Sequence, residues 1–268
     1  MVSSLAATSW GTGPLIVLCH GFTQTSRSWG AFGHALGVNH SVLAVDLPGH
    51  GRSGALHQTL EETASSLLET IGEKEFDLIG YSLGGRVALT TALMKPPTLR
   101  RMVLIGATAG IEDPVLRDER RHRDEKLAET IIADDDVSSF VDQWLRQPLF
   151  ATLPADASER TSRLTNTSQG LAASLQMAGT GTQRPSWEQL AQIETPTLIL
   201  AGVRDDRFCA HGIRLAAGLA HGRFSMIPGA GHACHLEQPN MTTAIVHRFL
   251  SHAHPTASPS ASNPPVRS

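Results

Sequence analysis

Short aliphatic runs recur along the chain at 15–19, 42–45, 76–79, 102–105, 197–201 and 224–227. They are too short for helices and too continuous for one-sided strands, so they predict strands buried on both faces. Helical patterns lie between most of them. The segment 60–71 opens with Glu61 and Glu62, acidic residues that suit the positive end of a helix dipole. Strands alternating with helices predict an α/β architecture, a mostly parallel sheet flanked by helices. The alternation breaks over 111–186, where no strand pattern appears and helical patterns occupy 117–132 and 137–145. That stretch is too long for a plain loop. It predicts a helical lid inserted between two strands. The chain then divides into a core of 1–110 and 187–250, a lid of 111–186 and a tail of 251–268. The tail is rich in Pro, Ser and Ala, a composition that predicts disorder.

The run 76–79 feeds Gly80-Tyr81-Ser82-Leu83-Gly84-Gly85-Arg86, and a helical pattern follows over 87–93. A G-x-S-x-G between strand and helix is the context of a nucleophile elbow, with Ser82 lifted to the sheet edge. Alone, the motif is also what a βα turn with an incidental serine looks like. A serine nucleophile needs a base, and the base an orienting acid. Asp205 follows the strand at 197–201 and His232 follows the strand at 224–227. Nucleophile, acid and histidine in that chain order, each after a strand, are far more specific than the elbow by itself. Asp206 is a neighbouring acid.

Cys19-His20-Gly21-Phe22 ends the first strong strand. The Phe22 amide and the Leu83 amide are the expected oxyanion donors beside Ser82. The turn at 46–53, which contains His50, reads as structural. Arg86 lies one helical turn beyond Ser82, on the same face. A guanidinium so near the nucleophile favours a carboxylate on the substrate.

Composition narrows the partners. The chain has 268 residues, is 41% hydrophobic and carries a net charge of −3, so it offers no basic field for nucleic acid. The longest apolar run is far too short to span a membrane. The first seven residues lack a charged n-region, which predicts no signal peptide and a cytoplasmic protein. Cys19, Cys209 and Cys234 show neither metal nor redox spacing. Thirteen histidines invite a metal reading, but His232-x-x-His235 has no third ligand pattern. No metal and no cofactor are expected. The sequence does not set the oligomeric state, and a monomer suffices for such a site.

Several segments together resemble one family. They are the elbow Gly80–Ala88, Glu119-Arg120-Arg121-His122-Arg123, Trp144-Leu145-Arg146-Gln147-Pro148-Leu149-Phe150, Gly179-Thr180-Gly181, Gly202-Val203-Arg204-Asp205-Asp206-Arg207-Phe208 and Gly229-Ala230-Gly231-His232. The chain thereby resembles the 2-succinyl-6-hydroxy-2,4-cyclohexadiene-1-carboxylate synthases, lyases of menaquinone biosynthesis with an α/β-hydrolase fold. The resemblance runs from about residue 14 to residue 250. It implies elimination of pyruvate from a succinyl, enolpyruvyl cyclohexene carboxylate, a small polycarboxylate substrate. It implies that Ser82 takes a carbon-bound proton, supported by His232 and Asp205. Tyr81, Arg86, Arg120 and Trp144 match substrate-contacting positions, and Arg163 is the nearest match for a further arginine. Two other readings stay open. One is a serine hydrolase of an ester, a lactone or a carbon–carbon bond. The other is a receptor that kept the fold without turnover.

Overall fold

The computed structural model describes residues 3–157 and 159–251. Seven strands form one sheet: β1 (Ala7–Trp10), β2 (Leu15–Cys19), β3 (Ser41–Val45), β4 (Phe76–Tyr81), β5 (Leu99–Ile105), β6 (Thr197–Gly202) and β7 (Gly222–Ile227). Their order is β1-β3-β2-β4-β5-β6-β7. All neighbours are parallel except β1, which pairs antiparallel with β3 at the edge. The six predicted strands correspond to β2–β7. The edge strand β1 is additional, because its residues, three half-buried and one exposed, leave no continuous apolar run.

Alternation along each strand divides the core between two faces. Val17 and Cys19 pack with the helices α2 (Leu60–Ile71) and α3 (Leu83–Leu93), joined by Leu215 of α8 (Asp206–Gly218). Ile16 and Leu18 point to the other face, against Phe32 and Leu36 of α1 (Gly30–Leu36) and Val246 and Leu250 of α10 (Pro239–Ser251). Helix α2 starts where its acidic turn predicts. Thr59 Oγ1 accepts from the Glu62 amide at 3.2 Å while Glu62 Oε2 accepts from the Thr59 amide at 2.8 Å, a reciprocal cap. Truncating a fully buried strand leucine or isoleucine such as Ile16, Leu18 or Leu78 to alanine should cost about 2–5 kcal/mol.

Between β5 and β6 the described residues contain no strand. They form α4 (Pro114–Asp134), α5 (Val137–Leu145), the single-turn α6 (Arg160–Arg163) and α7 (Ser168–Ala178). Ala128 and Ile131 of α4 meet Leu171, Ala172 and Leu175 of α7 in a small separate core, with Phe22 packed against it. Asp113 caps α4 by accepting from the Val115 and Leu116 amides. The last short helix, α9 (Cys234–Glu237), follows β7. Among the described residues no helix is long and apolar enough to cross a membrane. The tail expected to be disordered lies, from residue 252 on, outside the described residues.

Candidate active site

Ser82 stands where β4 turns into α3, with φ +52° and ψ −106°. A non-glycine residue pays about 1–3 kcal/mol for such a conformation, so its surroundings must hold it. They do: the Ser82 amide donates to the Ile105 carbonyl at 2.9 Å, and the Gly84 amide to the His20 carbonyl at 2.9 Å. The glycines are a matter of space. A Cβ on Gly84 would sit 1.9 Å from the Cys19 carbonyl oxygen, and one on Gly80 2.3 Å from the Gly84 carbonyl oxygen. The elbow therefore lies directly on the end of β2, which brings the His20–Phe22 turn alongside Ser82.

The three positions singled out by chain order meet. His232 Nδ1 lies 2.9 Å from Asp205 Oδ2, and His232 Nε2 lies 3.3 Å from Ser82 Oγ. Asp205 is also the cap of α8, its Oδ1 accepting from the Phe208 amide at 3.2 Å. One carboxylate thus terminates a helix with one oxygen and faces the imidazole with the other. Asp206 is exposed and is the first residue of α8. Phe208 lies with its ring 4.4 Å from that of His232. Glu237 fixes the histidine loop from both sides: its oxygens accept from the Gly231 amide at 2.7 Å and the Ala233 amide at 3.0 Å. The sequence held no signal for Glu237, because a carboxylate that binds only backbone amides belongs to no side-chain motif.

Ser82 and His232 open into a cavity of about 130 Å³ lined also by Phe22, Leu83, Arg86, Arg120 and Trp144. Arg86 is buried, and burial together with the like charge of Arg120 lowers its pKa to about 10, so it remains a cation at neutral pH. Its Nη1 donates to the Ala178 carbonyl at 2.7 Å, at the C-terminal end of α7. Arg86 therefore ties the core helix α3 to α7 and aims charge at the cavity as well. Arg120 Nε donates to Asp124 Oδ1 at 2.8 Å. Two guanidinium groups against one carboxylate leave this corner cationic, a setting that favours an anion. Trp144 packs edge-on against Phe22 with ring centroids 5.0 Å apart. Its indole N–H is buried with no partner among the described residues, a donor facing no protein acceptor.

Two expected contact residues lie elsewhere. Arg163 is 1% exposed and is absent from the cavity wall. It donates to Thr23 Oγ1 and, at 3.5 Å, to the Phe22 carbonyl. The reason is position: α6 is a single turn whose end points down onto the loop after β2. Tyr81 is 2% exposed and sits behind the histidine, its ring 5.3 Å from that of His232 and 4.5 Å from that of His235. His50 is fully buried and accepts from the Thr23 amide at Nε2, as its structural reading requires. Among the described residues no group of three His, Cys, Asp or Glu is placed to hold a metal ion.

Comparison with known proteins follows the same lines. A family model described as "Alpha/beta hydrolase family" matches residues 16–244. The 2-succinyl-6-hydroxy-2,4-cyclohexadiene-1-carboxylate synthase of Escherichia coli O1:K1 / APEC is 33% identical over 243 residues, 88% of this chain and 94% of its own. Among solved structures, MenH from S. aureus matches with a TM-score of 0.84 at 28% identity, over 91% of this chain and 97% of that one. A thermophilic esterase from Thermogutta terrifontis, solved with malate bound, matches with a TM-score of 0.71 at 27% identity, over 92% of each chain.

Proposed function

The chain belongs to the alpha/beta hydrolase family, and from that premise we propose that it is a lyase of menaquinone biosynthesis. The reaction eliminates pyruvate from 2-succinyl-5-enolpyruvyl-6-hydroxy-3-cyclohexene-1-carboxylate, giving 2-succinyl-6-hydroxy-2,4-cyclohexadiene-1-carboxylate. The observation that carries this reading is the coincidence, in one small cavity, of the Ser82–His232–Asp205 ladder with the cationic pair Arg86 and Arg120. A hydrolase of neutral esters has no use for two guanidinium groups beside its nucleophile. A substrate with several carboxylates does.

In this reading Ser82 Oγ removes the carbon-bound proton and His232 Nε2 accepts the serine proton in turn. Asp205 orients the imidazole and stabilises its cationic form. The electron pair left by the C–H bond moves into the succinyl carbonyl, and the Phe22 and Leu83 amides stabilise the oxyanion. Its collapse forms the C2–C3 double bond, shifts the existing C3–C4 double bond to C4–C5 and breaks the C5–O bond to the enolpyruvyl group. That group leaves with the electron pair and becomes pyruvate on protonation. No water is consumed and no bond to Ser82 forms. Residues 111–186 act as a lid that keeps water from the serine, which is a poor base when solvated.

The test is continuous ultraviolet measurement of pyruvate release from this substrate, with neutral p-nitrophenyl esters in parallel. Mass spectra of quenched enzyme should show unmodified Ser82. An acyl adduct at Ser82 during turnover would favour an ester or carbon–carbon bond hydrolase instead.

A further inference from the structure

The reaction cavity is small for the ligand it is assigned. Its volume of about 130 Å³ lies below the roughly 300–1,000 Å³ of ordinary small-molecule sites. A second cavity of about 550 Å³ adjoins it, and Thr108, Thr180 and Arg207 line both. Together the two fall within the ordinary range. The second cavity extends between the start of α4 and α8, over the apolar surface of Trp187 and Ala210.

Most charges in this second cavity already have partners. Arg214 lies 3.9 Å over the Trp187 ring and holds Glu112 through two contacts of 2.5 and 2.8 Å. Asp113 caps α4. Arg207 differs. It is exposed, and among the described residues it makes no hydrogen bond and no ion pair; its guanidinium lies 5.7 Å from the Phe208 ring. Phe208 in turn packs against His232. A cation available to a ligand therefore stands at the junction of the two cavities, one aromatic ring away from the imidazole. Arg86 and Arg120 line the reaction cavity and not the second one, while Arg207 stands where the two meet.

We propose that the two cavities form one site for an extended polyanion, and that Arg207 is a further carboxylate-binding residue. It holds the arm of the substrate that passes Thr108 and Thr180 into the second cavity. The inference rests on the polycarboxylate reading above and deepens it. Separate cationic positions orient a substrate whose carboxylates lie at different ends, whereas a single one would leave it free to bind in several registers. Such a contact acts in the bound ground state as much as in the transition state, so it should appear in KM.

The experiment compares wild type, Arg207→Gln and Arg207→Lys in two ways. Steady-state pyruvate release gives KM and kcat. Titration calorimetry at low salt gives the Kd of propane-1,2,3-tricarboxylate, a non-reacting polyanion. Arg207→Gln should raise KM about tenfold or more with kcat changed less than about threefold. Arg207→Lys should recover part of the loss, because it keeps the charge without the planar fork. A merely structural residue would lower kcat and melting temperature together. A KM for Arg207→Gln within about twofold of wild type overturns the inference and leaves the lyase reading standing. If the wild type releases no pyruvate, the lyase reading fails and calorimetry decides alone. Tenfold weaker binding by Arg207→Gln then upholds the anion site, and equal or absent binding by the wild type overturns it.

Discussion

Asp205 and Asp206 are adjacent acids with different surroundings. Only Asp205 reaches the imidazole, at 2.9 Å, while Asp206 faces solvent. Asp205→Asn should therefore lower kcat by ~10³–10⁴, as loss of the orienting carboxylate does in other triads. Asp206→Asn should stay within about twofold; pyruvate release measures both, and a reversed order would mean the wrong acid has been assigned. Arg86 is a more complicated case, because it donates to the Ala178 carbonyl as well as lining the cavity. Arg86→Ala should reduce kcat/KM by about tenfold to a hundredfold. It should also lower the melting temperature, because α7 loses its tie to α3. Arg86→Lys should recover activity only in part. These residues also mark what could be read from the chain. Ser82, Asp205 and His232 were visible because each follows a strand in a fixed order. A basic side chain on a one-turn helix carries no directional information, and the Arg163 side chain lies on the loop after β2 and not on the cavity wall. Glu237 was invisible because a carboxylate that binds only backbone amides belongs to no spacing pattern, and only the folded loop shows what it faces.

Helices and strands were legible in proportion to their apolar periodicity. The buried strands β2–β7 announced themselves, while β1 pairs at an edge and keeps mixed polarity. Helix α1 contains two glycines in seven residues, which weakens its helical pattern. Helix α3 begins at Leu83 rather than near Val87, because Gly84-Gly85 looks like a turn until the close approach of β2 is known. Packing between helices explains another glycine. A Cβ on Gly181 would lie 2.3 Å from the Arg121 backbone nitrogen, so the chain after α7 touches the backbone of α4 directly. Gly181→Ala must push α4 outward, and α4 carries Arg120 to the cavity. The expected outcome is a several-fold rise in KM for the carboxylate substrate while the main sheet stays intact. Kinetics together with far-ultraviolet circular dichroism would check it, and an unchanged KM would show that α4 tolerates the shift.

The molecule as a whole stores several neutral imidazoles in its interior. Burial lowers the pKa of His20 to about 4 and those of His50 and His235 to about 3. The unfolded chain binds protons at these positions below about pH 6.5, whereas the folded protein does not until near pH 3–4. Stability is therefore complete above pH 6.5 and falls as pH drops toward 4, by up to about 1.4 kcal/mol per pH unit for each histidine. Melting temperatures between pH 7.5 and 4.5 should fall accordingly. His235, whose ring nitrogens have no partner among the described residues, should be improved at pH 5 by His235→Phe. A melting curve with the wild-type slope in that variant would exclude His235 as a source.

Placing the helices of α4–α7 between β5 and β6 also sets a timetable on the ribosome. The buried strand β5 ends at Ile105 and its neighbour β6 begins at Thr197, 92 positions later. At about 5–20 residues per second, one edge of a strand whose last four residues are apolar and buried waits on the order of 5–20 s for its partner. During that interval Ser82 has been made and Asp205 and His232 have not, so the three cannot yet meet and the nascent chain is adhesive. Chaperone supply during expression should therefore govern the soluble yield of this protein more than its final stability does.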